Sequence, residues 1–137
     1  MTRLLPAAAL LALIAAPAQA QVNVQITAPT SLIGTWSEAR DCAPSATRFV
    51  FASNSFEIAD ARGRQYYAAV NYVSVGGAPA IRVTQQPSVN RFGANAPALG
   101  DSFIFRRDGN SITPVAILRG ASRHPVGADS PSFTRCR

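Results

Sequence analysis

Short apolar–polar alternations, spaced about ten residues apart and separated by turn-forming residues, constrain the fold of this chain most strongly. After position 20, no stretch shows the long apolar repeat of 3.6 residues that an amphipathic helix requires. Alternating strands divided by Gly, Pro, Asn and Asp are typical of β-barrels and β-sandwiches. The sequence therefore predicts an all-β fold, a small antiparallel barrel or barrel-like sandwich of about seven or eight strands.

The longest β-like segment covers residues 65–75. Within one uninterrupted strand, Tyr66 and Tyr72 would fall on one face and Tyr67 on the other. Both faces are fairly apolar, which predicts a central strand.

The clearest hairpin joins residues 102–107 to residues 111–118 through Asp108-Gly109-Asn110. A three-residue loop that contains Gly suits a bulged hairpin turn. Pro114 has no backbone N–H to donate to a neighbouring strand, so it predicts an edge or a bulge.

The first twenty residues have the layout of a secretory signal peptide: Arg3, an apolar run over 4–16 and the small-residue sequence Ala18-Gln19-Ala20. The run is too short for a spanning helix. We therefore expect a signal peptide over 1–20 and a single β domain over 21–137. The domain is expected in the periplasm or the medium, with no transmembrane helix after cleavage.

The domain contains two cysteines, Cys42 and Cys136, and an isolated pair in an exported protein favours a disulfide. The loop-entropy model gives such a long closure about 4–5 kcal/mol. The alternative is a reactive or metal-binding thiol. One histidine and scattered carboxylates argue against a metal site, so no metal or cofactor is predicted.

The chain carries thirteen basic residues, all arginine, and seven acidic ones, a net charge of +6. A basic surface suits an anionic partner such as a lipid headgroup or glycan. The alternative is the bias of a GC-rich genome, which replaces Lys with Arg. The arginines are scattered without a basic–aromatic motif, so no nucleic-acid partner is expected.

Recognised catalytic patterns are missing from the sequence. His124 is the only histidine, and no G-x-S-x-G motif accompanies it. There is also no Gly-rich phosphate loop that leads into a helix and no C-x-x-C motif. The chain is therefore predicted not to be an enzyme.

Two long connections, residues 87–100 and 119–132, carry candidate contact residues. Loops of this length without secondary structure are usually functional or disordered. The first contains Arg91 and Phe92, and the second contains Arg123 and His124. The alternative for both is a mobile surface loop of small residues.

Gly34-Thr35-Trp36, at the start of the first firm strand, resembles the G-x-W opening of calycin barrels, which include lipocalins, avidins and the small bacterial Inh-type protease inhibitors. The resemblance implies a Trp36 that plugs one barrel end beneath an arginine of a late strand. Arg106, Arg107 and Arg135 are the candidates for that arginine. The alternative for Trp36 is an ordinary core aromatic.

Three functions follow from these patterns. The first is a binding module that acts on an extracytoplasmic protein, such as a hydrolase inhibitor, through the four loop residues named above. The second is a carrier of a small apolar ligand in the barrel mouth, with Tyr66, Tyr67 and Tyr72 as the lining. The third is an envelope-associated protein that binds anionic lipid or glycan through its arginines.

Overall fold

The computed structural model describes residues 22–25, 27–127 and 129–137. Over these ranges the chain is all-β, as predicted, with no α-helix and a single 3₁₀ turn at Gly93–Asn95. The predicted signal peptide, 1–20, lies outside the described residues. Within the described ranges, no helix has the length and apolarity needed to cross a membrane.

The described residues form eleven strands, so the prediction of seven or eight was too low. Two of the additional strands arise because the long segment 65–75 divides into two and the connection 119–132 contains a strand of its own. The strands are β1 (Val22–Gln25), β2 (Gly34–Ser37), β3 (Arg48–Phe51), β4 (Phe56–Asp60), β5 (Gly63–Tyr67), β6 (Val70–Val75), β7 (Ala78–Val83), β8 (Ser102–Asp108), β9 (Ser111–Arg119), β10 (Ser122–Pro125) and β11 (Phe133–Arg135).

All the strands belong to one antiparallel sheet in the order β1-β6-β7-β8-β9-β11-β2-β3-β4-β5, with β10 paired to β9. The short strand β11 lies at the centre of this order. Its Phe133 faces Ile112 of β9, and its Thr134 faces Ser37 of β2. The last strand in the chain therefore joins the two halves of the sheet.

The sheet curls around a main core, because buried residues from both halves of the strand order belong to the same cluster. A second, smaller cluster is formed by Val73, Ala80, Ile104 and Ala116. Phe51 of β3 lies 6.5 Å, ring to ring, from Tyr72 of β6. Phe49 stacks on Phe133 at 4.2 Å and approaches the rings of four further phenylalanines. Aromatic side chains thus fill the interior, and their burial is the main stabilising contribution.

The single long strand predicted over 65–75 was wrong, because the chain turns a corner at Ala68-Ala69 between β5 and β6. The backbone N–H of Val70 donates to the backbone carbonyl oxygen of Asn54 at 2.9 Å, which fixes the new strand direction. Tyr67 and Val70 are both buried although they are three residues apart, so the corner breaks the alternation of a single strand.

The hairpin of β8 and β9 is confirmed, and its bulge lies beside Pro114 as predicted. Ile104 faces Ala116, whereas the next residue, Phe105, faces Pro114. Val115 is therefore the extra residue of the bulge, and the ladder continues past a proline without requiring its N–H.

The connection 119–132 is not a loop throughout. Ser122–Pro125 forms β10, which pairs with Arg119 and the three residues before it. Gly120 adopts a φ of +60°, which suits the tight turn between the two strands. Every side chain of β10 is exposed, so the strand has none of the apolar alternation by which the other strands were identified.

The predicted disulfide between Cys42 and Cys136 is present, and no free cysteine occurs among the described residues. The neighbouring backbone is also fastened, because the N–H of Cys136 donates to the carbonyl oxygen of Thr35 at 2.8 Å. The bridge thus fixes the end of β11 to the connection that follows β2.

Candidate functional site

The connection 87–100 is fastened to β5 by the side chain of Gln65, which is only 1% exposed. Its Oε1 accepts hydrogen bonds from the backbone N–H groups of Arg91 at 2.7 Å and Phe92 at 3.3 Å. A buried amide that holds two successive backbone groups restricts the loop to one conformation at this point. The two candidate contact residues are therefore preorganised.

The same amide also reaches the far side of the connection. Gln65 donates through Nε2 to the hydroxyl oxygen of Tyr67 at 2.7 Å, and that hydroxyl donates to the carbonyl oxygen of Pro97 at 2.7 Å. Burial raises the pKa of Tyr67 well above its ordinary value, because the charged phenolate would lose its hydration. The neutral hydroxyl thus remains a donor to the loop.

A second buried group, Asp101, holds the end of the connection. Its Oδ2 accepts from the N–H of Ala98 at 2.9 Å and from Nε of Arg119 at 3.0 Å. The guanidinium of Arg119 donates in turn to the carbonyl oxygen of Ala94 at 2.9 Å. Since Arg119 ends β9, this arginine links the connection 87–100 to the hairpin of β9 and β10.

Arg91 lies against the turn between β4 and β5. A Cβ atom at Gly63 would come within 2.9 Å of Cζ of Arg91, so glycine makes the close approach of the guanidinium possible. Nη1 of Arg91 donates to the carbonyl oxygen of Arg62 at 3.4 Å. Phe92 is half-buried and packs on the core cluster. The loop therefore presents an arginine beside an anchored aromatic ring.

A shallow concavity of about 200 Å³ is lined by Arg91 and Phe92 with Asp60 and Arg62. Asp60 and Arg62 form an exposed ion pair at 3.0 Å. The backbone N–H of Arg62, and then its guanidinium, lower the pKa of Asp60. Asp60 thus remains charged and neutralises Arg62, while Arg91 has no carboxylate within 4 Å in the described part of the chain.

Arg123 and His124 lie elsewhere, on β10, opposite Leu118 and Ile117 of β9. Both are exposed, and as successive strand residues they point to opposite faces. The structure thus brings Arg91 and Phe92 together on one loop, whereas Arg123 and His124 belong to the adjoining hairpin.

The three tyrosines do not face one cavity. Tyr66 is 49% exposed on the outer face, whereas Tyr67 and Tyr72 are buried. The hydroxyl of Tyr72 donates to the carbonyl oxygen of Ala52 at 2.6 Å, and burial raises its pKa as well. Two of the three hydroxyls are thus engaged by the backbone, and the ligand-binding role of the three tyrosines stays a prediction.

Trp36 is buried, and the guanidinium of an arginine lies over its indole. Of the candidate arginines, it is Arg135 whose guanidinium lies over the indole, 4.8 Å from the ring centroid. The indole N–H donates to the carbonyl oxygen of Leu32 at 2.9 Å. Gly34, two residues earlier, has a φ of +134°, which only glycine adopts without strain.

Sequence reasoning missed the three residues that hold the connection 87–100, namely Gln65, Asp101 and Arg119. Gln65 and Arg119 bind the connection from strands that are distant in the sequence, so no local pattern marks them. Asp101 directly follows the connection, and its bond to Arg119 spans 18 residues. Among the described residues, no group of three or more His, Cys, Asp or Glu side chains is placed to hold a metal ion.

Comparisons with known proteins found no family model, no curated protein and no solved structure that matches this chain. The resemblance to calycin barrels therefore rests on Gly34-Thr35-Trp36 alone, and membership of that group stays a prediction.

Proposed function

We propose that this chain is a non-enzymatic binding module that inhibits an extracytoplasmic hydrolase through residues 87–100. One observation carries the proposal: Gln65 binds the backbone of Arg91 and Phe92 and leaves the Arg91 side chain exposed. A loop that is already ordered loses less conformational entropy when it binds, and inhibitors benefit from this preorganisation. Arginine and aromatic side chains are also the commonest anchors of protein interfaces.

The frame behind the loop supports the same function. We propose that the curled sheet is a small barrel, because its filled aromatic interior makes a rigid support rather than a ligand chamber. The disulfide is compatible with an oxidising compartment, which agrees with the periplasmic or secreted location that the signal peptide predicts. Arg123 and His124, on the hairpin linked to the loop by Arg119, would form the edge of the contact.

The test begins with capture of partners from the envelope fraction of the source organism on the immobilised protein. The captured protein is then purified, and its Kd is measured by calorimetry for the wild type and the Arg91→Ala/Phe92→Ala variant. We expect at least about a 100-fold weaker Kd for the variant, the loss typical of an interface hot spot. The captured protein should also lose hydrolytic activity when the wild type is added.

Arg64→Ala is the matched control, because Arg64 is an exposed arginine on neighbouring β5 and is paired with Glu57 at 3.6 Å. It should bind the partner as the wild type does. Equal affinities of the wild type and the double variant would exclude the loop as the contact. If the wild type does not change the activity of the captured protein, inhibition is excluded and a binding function without inhibition remains.

Binding of an anionic lipid or glycan through the arginines is the alternative from another class. Four of the arginines in the described residues are already paired with carboxylates, which reduces the free positive charge of the surface. Retention on anionic vesicles that falls steeply between low and physiological salt would favour this alternative.

A further inference from the structure

A cleft of about 410 Å³ lies at the end of β7 and β8 opposite to the connection 87–100. Its walls come from the start of β7 at Pro79, the end of β8 at Arg107 and the segment before β2 at Pro29. Leu32 and Tyr72 of the buried core also line it. Its size is within the range of small-molecule sites.

The surface of the cleft is mixed, with somewhat more apolar than polar area. Ser74 and Gln25 supply neutral polar atoms, and Arg107 is the one charged residue among those that line the cleft. In the strand ladder Ser74 faces Pro79 and Gln25 faces Tyr72, so all four share the inner face of the sheet. The cleft therefore combines apolar walls with neutral polar groups and one cation.

Arg107 is held in place by neutral partners. Its Nη1 donates to Oγ of Ser31 at 2.9 Å, and its Nε donates to the carbonyl oxygen of Gly109 at 3.3 Å. All ion pairs in the described part of the chain involve other arginines, so no carboxylate there neutralises Arg107. A hydrogen-bonded guanidinium without a counter-charge at a partly apolar cleft suits a carboxylate ligand.

We propose that this cleft binds a small carboxylic acid with a single apolar tail, with the carboxylate on Arg107 and the tail against Pro29, Leu32 and Pro79. The inference goes beyond the proposed inhibitor function, because the two sites lie at opposite ends of β7 and β8. Neither site requires the other to be occupied.

The experiment uses decanoate as the probe and 1-decanol as its uncharged counterpart, with binding measured by calorimetry. We expect saturable binding of one decanoate per chain and at least about tenfold weaker binding of 1-decanol. Arg107→Gln should weaken decanoate binding by about the same factor and leave 1-decanol unaffected. Arg106→Gln is the matched control, since Arg106 is the adjacent arginine and is paired with Asp108 at 3.1 Å.

A second measurement does not depend on the folding of a variant. Backbone amide signals of the ¹⁵N-labelled wild type are followed during titration with decanoate, and shifts are expected at Ser74 and Gly77 rather than over 87–100. Ser74→Leu, which fills the cleft from β6, should abolish both the shifts and the heat. Equal binding of decanoate and 1-decanol, equal effects of the two arginine variants, or shifts confined to 87–100 would each overturn the proposal.

Discussion

The guanidinium of Arg135 lies 4.8 Å from the ring centroid of Trp36, and the two residues face each other across β11 and β2. Arg135 also donates through Nη2 to the carbonyl oxygen of Ser31. A residue close to the end of the chain thus covers the indole of the first core strand. The contact adds a cation–π attraction to the few backbone bonds of β11.

Arg135→Ala should lower the free energy of unfolding by about 1 kcal/mol, because an exposed cation–π contact and one hydrogen bond are lost together. Urea denaturation followed by the fluorescence of Trp36 measures the change. Arg137→Ala, which removes an equal charge two residues later, should have no such effect. Equal stabilities of the two variants would show that the contact does not stabilise the fold.

Reduction of the disulfide should lower the free energy of unfolding by about 4–5 kcal/mol, since the open chain gains the entropy of a very long loop. We expect β11 to open first, because it joins the two halves of the sheet through only a few pairings. Urea denaturation with and without dithiothreitol measures it, and hydrogen exchange at Thr134 reports the local opening. A Cys42→Ser/Cys136→Ser variant should have the same free energy of unfolding as the reduced wild type, and dithiothreitol should not change it.

Gln65→Leu should make the connection 87–100 more mobile while β5, the strand that contains position 65, stays in place. The amide protons of Arg91 and Phe92 would lose their buried acceptor, and we expect at least about a tenfold loss of their protection from hydrogen exchange. The free energy of unfolding should fall by about 2 kcal/mol. Tyr67→Phe removes the hydroxyl that accepts from Nε2 of Gln65 and donates to Pro97, but it keeps the acceptor Oε1 of Gln65, so both amides should stay protected. Unchanged exchange in Gln65→Leu would contradict preorganisation by this side chain.

Stability should decrease at alkaline pH because burial raises the pKa values of Tyr67 and Tyr72 above their ordinary value of 10.0. Above that pH the unfolded chain releases protons that the folded chain retains, so the stabilisation is complete below pH 10 and is lost as the pH rises. Each tyrosine should contribute a slope of about 1.4 kcal/mol per pH unit.

The measurement is urea denaturation from pH 8 to 11.5. Tyr72→Phe should halve the slope, and Tyr66→Phe, at the exposed tyrosine, should keep the slope of the wild type. A wild-type stability that is flat across this range would contradict the burial of the two hydroxyls.

Local sequence patterns were sufficient for the class of fold. The hairpin of β8 and β9 and the bulge at Pro114 follow from neighbouring residues, because alternation and turn chemistry act over a few positions. The disulfide could also be predicted from the sequence, since two cysteines allow one pairing. Local patterns failed at Ala68-Ala69, where two small residues permit a corner but do not require it.

Only part of the candidate site could be predicted from local sequence patterns. Arg91 and Phe92 stand out as residue types in a long connection, and the sequence by itself determined that they lie between two strands. Only the tertiary structure decided that the connection is ordered, because Gln65 lies 26 residues before Arg91, and Arg119 reaches Asp101 and Ala94 from β9. Such bonds depend on which strands become neighbours when the sheet curls, and that is decided by packing of the whole core rather than by any short stretch of sequence.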